Sequence, residues 1–141
     1  MLILASIGLV GATVAIHVFG FGVLLRAMER SNILHAHGYL HVTRSMAGLT
    51  FWLLLIHLVE ISVWGLFYYW QGCMPDAGSA FYFSGVTYTT VGYGDLVLPG
   101  QWRMLAPLEA LAGILMCGLS TGLFFAVISR WVGNWVKRKP L

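Results

Sequence analysis

The chain predicts an all-α membrane protein with three membrane-spanning helices and one shorter helix that enters the bilayer and returns. Composition is the first reason. Of 141 residues, 59% are hydrophobic and only 9% are charged, with a mean hydropathy of +0.81. An average soluble domain carries roughly 25% charged residues, so this chain lacks the polar skin needed to live in water. That excludes a cytosolic enzyme, a disordered tail and a nucleic-acid binder. The second reason is three apolar runs, each long enough for the about 20 residues that a spanning helix needs. The third is the connection between the last two runs, from about Gln71 to Trp102, which is too long for a turn and apolar in its middle. The length allows one domain at most.

The first run covers Leu2 to about Leu25. A secretory leader would begin with basic residues, whereas Met1-Leu2-Ile3-Leu4 has none and the first cation is Arg26, so the run is expected to stay as a helix. It either braces the second helix or docks a neighbour through Gly8, Gly11 and Ala12. Residues 26–45 are expected as a cytoplasmic loop carrying Arg26, Arg30 and Arg44. The second run gives a helix over 46–70 and the third a helix over about 103–132. Lys and Arg in short loops stay on the cytoplasmic side. Arg130 lies at the end of the third run, Lys137, Arg138 and Lys139 lie in a basic tail over 133–141, and Arg103 is the only cation between the last two spans. The chain is therefore expected as a multi-pass protein of the cell membrane, with its N-terminus outside and its C-terminus in the cytoplasm. Trp64, Tyr68, Tyr69 and Trp70, and at the other end Trp131 and Trp135, suit interfacial aromatic belts.

Within the external connection, Pro75-Asp76 reads as a helix start with Asp76 as N-cap. A helix over about 77–89 would be about 18 Å long at 1.5 Å per residue, which reaches about halfway through a hydrocarbon core of about 30 Å. The chain beyond its end must turn back at that depth. Non-helical backbone is tolerated there only if protein buries it or it lines a water-filled path.

The residues at that turn are Thr89-Thr90-Val91-Gly92-Tyr93-Gly94-Asp95, and they resemble the selectivity filter of potassium channels. The likeness extends from about Met46 to Arg130. Arg103-Met104-Leu105-Ala106-Pro107-Leu108-Glu109-Ala110-Leu111-Ala112-Gly113 is similar to the start of the family's inner helix, with Gly113 at the hinge glycine. Gly118 to Phe124 resembles the inner helix of prokaryotic inward rectifiers. The resemblance implies a pore domain over 46–132 (outer helix, pore helix, filter at 90–94, inner helix), with residues 1–45 an addition to it. It implies potassium ions held by backbone carbonyls from Thr90, Val91, Gly92 and Tyr93, with Gly94 completing the filter. Gly92 and Gly94 take positive φ without steric cost. Thr90 adds a hydroxyl at the inner end, Val91 and Tyr93 pack the filter from outside, and Asp95 brings negative charge to the outer mouth. Thr89 and Glu109 are expected as filter supports. Some relatives carry a carboxylate on the pore helix where this chain has Val86, a departure from the family pattern that removes the group on which their inactivation depends.

One copy of the loop cannot close a ring, so four identical chains are expected around one axis. Ile114, Cys117, Thr121 and Phe125 recur at helical spacing on the third span and would line the cavity, with Phe125 a constriction near its cytoplasmic end; ordinary packing is the other reading for each. Gly113, Gly118 and Gly122 either permit bending or let helices approach closely. The implied function is passive potassium permeation, with no enzymatic step and no cofactor beyond the permeant ion, in contact with membrane lipid. There is no arginine ladder for a voltage sensor, and the tail is too short for a cytoplasmic ligand-binding domain. A weakly selective cation channel, a subunit of a potassium uptake system and a non-conducting accessory protein are the rival readings.

Ionisable groups in a span each need a reason, because insertion costs about 2.5–3.5 kcal/mol. Glu109 is expected as a protonated or hydrogen-bonded strut under the filter. His57 and Glu60 lie three residues apart on one helix face; they either titrate and tune opening or form a buried structural pair. His35, His37 and His41 have no cysteine or carboxylate to complete a metal site and read as a headgroup-facing loop. His17 reads as a solitary packed residue. Cys73 and Cys117 are expected as free thiols, with a bridge between Cys73 residues of neighbouring subunits the less favoured alternative.

Overall fold

The computed structural model describes residues 1–30 and 39–136. The readings placed on His35 and His37, and on Lys137, Arg138 and Lys139, fall outside those residues, as do the side chains of His41 and Trp135.

The described chain is all-helical. Helix α1 covers Leu2–Arg30, α2 Tyr39–Trp70, α3 Ala77–Tyr88 and α4 Leu105–Val136, with a single 3-10 turn at Gly100–Trp102 before α4. Among the described residues, three helical stretches are long and apolar enough to cross a membrane: Leu2–Arg30, Val42–Trp70 and Gly100–Gly133. The spanning helices overrun their apolar cores. Arg26 and Arg30 lie on α1, and His41 and Arg44 lie on α2, so these residues are helical rather than part of a loop beginning at 26. Nothing between Tyr39 and Met46 breaks a helix, and adding residues to an existing helix is easy once it is nucleated. For the same reason α4 runs past 132 to Val136.

Helix α3 starts where the sequence puts it. Asp76 has extended backbone, and its carboxylate accepts from the Ser79 amide at 2.9 Å and the Ser79 hydroxyl at 2.7 Å. Those bonds satisfy an orphan amide of the first turn and hold the Asp76 carboxyl below its usual range. At the other end the Thr89 amide donates to the Gly85 carbonyl at 3.1 Å. The twelve residues span about 18 Å.

Two apolar clusters bind the helices. One gathers Trp64, Tyr68, Phe83, Leu98, Trp102 and Leu105 around α3 and the chain that enters α4. The other joins Leu24, Leu53, Ile56 and Val127 of α1, α2 and α4. Trp64 and Tyr68 are therefore interior residues and not members of an interfacial belt; Tyr69 and Trp70 are the exposed pair at that end. Each buried ring brings a polar tip that needs a partner, and each has one: Trp64 Nε1 donates to Thr13 Oγ1 at 2.9 Å, and the Tyr68 hydroxyl donates to Glu109 at 2.7 Å.

Helix α1 packs on α2 and α4 of its own chain. Besides the Trp64–Thr13 bond, Trp52 Nε1 donates to the Gly20 carbonyl at 3.0 Å. A Cβ at Gly20 would lie 2.6 Å from Ile56 Cδ1, so glycine permits the close approach, while Gly8 and Gly11 face open space. Both cysteines are free, Cys73 buried and Cys117 exposed, and burial pushes the Cys73 thiol up.

Candidate functional site

The segment after α3 turns back through an alternating backbone. Thr90, Gly92 and Gly94 all have positive φ, at 62°, 54° and 77°. Left-handed residues at every second position turn successive carbonyls toward a common side. Glycine supplies that conformation freely; a β-branched residue in it is an outlier, and such outliers gather at functional sites. Thr90 is the position that residue type does not disclose. The turn is anchored to α3 by the Thr90 amide on the Thr87 carbonyl at 2.9 Å and the Gly92 amide on the Val86 carbonyl at 3.2 Å. The Thr89 hydroxyl donates to the Gly85 carbonyl at 2.6 Å.

Residues 89–95 are exposed in the single chain, with Val91 at 52% and Tyr93 at 72%. Asp95 accepts from the Tyr82 hydroxyl at 2.8 Å, which ties the end of the segment to the N-terminal half of α3. Behind the segment lies a largely apolar cleft of about 430 Å³, bounded among others by Val86, Gly92, Leu98 and Ala110. On α4, Ile114, Cys117, Thr121 and Phe125 form one exposed face, and the Thr121 hydroxyl is turned back to the Cys117 carbonyl at 2.9 Å. Gly113 sits at a close crossing: a Cβ there would overlap the Tyr88 carbonyl. Gly118 and Gly122 have open space around them.

Two buried carboxylates stand behind α3. Glu109 reaches from α4 and accepts from Ser84 Oγ of α3 at 2.5 Å and from Tyr68 of α2 at 2.7 Å. Ser84 is thus the α3 side chain that meets Glu109, two residues before Val86. Glu60 sits one level deeper. Its carboxylate takes His17 Nδ1 at 2.8 Å, His57 Nδ1 at 3.2 Å and the Tyr88 hydroxyl. His57 also lies 3.0 Å from the Tyr88 hydroxyl through Nδ1 and 3.0 Å from Ser120 Oγ through Nε2, and His17 Nε2 lies 3.5 Å from the same Ser120 oxygen. All four helices contribute.

His17 is therefore not solitary, because the rotation of α1 against α2 turns its ring onto Glu60. Tyr88 and Ser120 are the members of this cluster that sequence reasoning missed. The available signal was depth: a polar side chain in mid-membrane pairs with another at the same level, and His17, His57 and Glu60 occupy the middles of their spans.

The family model described as "Ion channel" matches residues 56–130, more than half of the chain. No curated protein and no solved structure matches.

Proposed function

The chain belongs to the ion-channel family, and from that premise we propose that it forms a potassium-selective pore from four copies of itself. The observation that carries the reading is the alternation of positive φ at Thr90, Gly92 and Gly94 within Thr89-Thr90-Val91-Gly92-Tyr93-Gly94-Asp95. Carbonyls turned one way by four copies replace the hydration shell of a monovalent cation. Thr90, Val91, Gly92 and Tyr93 supply those oxygens, and Gly94 lets the strand leave the axis. Asp95 raises the cation concentration at the outer mouth, held in place by Tyr82. Thr89 and Glu109 support the turn from behind, Glu109 through the Ser84 hydroxyl. The face of Ile114, Cys117, Thr121 and Phe125 lines the inner cavity, with Phe125 as its narrowest point, and Gly113 serves close packing against Tyr88. The exposure of Val91, Tyr93 and this face in one chain fits surfaces that neighbouring copies cover. The reaction is permeation; no bond is made or broken.

The test is flux through purified protein in liposomes. Potassium-driven uptake that barium blocks, and a reversal potential in mixed sodium and potassium that follows potassium, are the expected results. Equal passage of sodium removes the selectivity, and no flux from an intact tetramer removes the channel.

A further inference from the structure

We infer that His17, His57 and Glu60 bind one divalent transition-metal ion of the zinc class, with the Tyr88 hydroxyl as fourth ligand and Ser120 fixing both imidazoles from outside. Imidazole and carboxylate are the donors such ions take. One ligand atom from each of the three side chains lies within 4.8 Å of the others. The contacts among the four candidate donors include 2.8 Å (His17–Glu60), 3.2 Å (His57–Glu60) and 3.0 Å (His57–Tyr88). Ligands at about 2.0–2.2 Å around a tetrahedral ion stand about 3.3 Å apart, so these three contacts need to open by only a few tenths of an ångström, while the shorter Tyr88–Glu60 contact must open further and Glu60 must turn one of its two oxygens to the ion. The His57 side chain is 15% exposed in the single chain.

Hydrogen accounting gives the second argument. If both Nδ1 atoms carry hydrogens toward an ionised Glu60, both Nε2 atoms present lone pairs to Ser120, whose hydroxyl has one hydrogen. One contact is then left without a proton. With a metal on both Nδ1 atoms, each Nε2 carries a hydrogen, and the Ser120 oxygen accepts both through its two lone pairs. A ligating histidine characteristically donates its other N–H in this way.

Metal analysis of the purified full-length chain in detergent, stripped with chelator and then dialysed against Zn2+, tests the site. The expected result is one ion per chain, a rise in melting temperature with Zn2+, and a four-coordinate absorption spectrum when Co2+ replaces it. His35→Ala/His37→Ala/His41→Ala keeps the ion, His17→Gln and Glu60→Gln each lose it, and Ser120→Ala weakens binding about 10–100-fold. Wild-type protein that stays metal-free at saturating Zn2+ overturns the site and leaves an extra proton as the occupant of the ring. Loss of the ion only in the triple-histidine variant, or full occupancy in His17→Gln, overturns it equally. If Glu60→Gln does not fold, the wild-type stoichiometry and His17→Gln decide.

Discussion

Glu109 and Glu60 are both fully buried and are held by different means. Glu109 rests on two hydroxyls, from Ser84 and Tyr68, and ties α4 to α3 and α2. Glu60 rests on two imidazoles and a phenol, and its ring of contacts closes through Ser120 across all four helices. Hydroxyls can donate to a carboxylate whatever the pH of the surroundings, and they offer no second charge. Imidazoles can change charge and can bind metals. Glu109 is therefore suited to fixing a shape, and the deeper Glu60 to holding a cation. Only the deeper one engages α1, the helix that lies outside residues 56–130.

That contrast can be broken at several points. Glu60→Ala should have the largest effect, since removing one member of a buried ionic cluster costs about 3–5 kcal/mol; the loss should appear in thermal unfolding of the detergent-solubilised protein. Glu109→Gln should cost less, about 1–3 kcal/mol, because the amide keeps one acceptor and turns its N–H toward a hydroxyl that must reorient. Selectivity and open probability measured in the same variant check its role as a strut: if both are unchanged, the carboxylate contributes only to folding. Thr13→Val removes the acceptor of Trp64 Nε1 with little change in shape. A loss of about 1 kcal/mol is expected, with weaker metal binding at His17 one turn further along α1 and no change at Glu109. Asp76→Asn should have the smallest effect. The Ser79 bonds hold the Asp76 carboxyl below its usual range, so its contribution is complete above the ordinary aspartate value of about 3.9 and fades as pH falls through the lowered one. Melting temperatures taken between about pH 6 and 3 should show a shallower acid loss in the variant.

Much of the molecule was legible from residue order. Asp76 marks the start of α3 because a capping carboxylate acts on amides two and three residues ahead, a local event that local sequence records. Gly92 and Gly94 disclose their backbone for the same reason. Thr90 does not, because its left-handed φ is set by the alternation around it and not by its own preference. The carboxylate of Glu109 could be assigned to the back of α3, while its partners Ser84 and Tyr68 could not. Pairs such as His17–Glu60 and Trp64–Thr13 depend on how two helices are rotated about their axes, which hydropathy leaves open when α1 and α2 are apolar nearly all round. The overrun of α2 to Tyr39 was hidden because apolar length marks where a bilayer ends and not where a helix does.

The bond from α1 to Glu60 also bears on biogenesis. The ribosome delivers α1 before α2, with an imidazole whose acidic partner is 43 residues behind it. A lone ionised Glu60 entering lipid would face a penalty of about 3 kcal/mol, and pairing with His17 offsets it. The translocon is thus best served by releasing α1 and α2 sideways as a joined hairpin, before α3 and α4 arrive to pack on them.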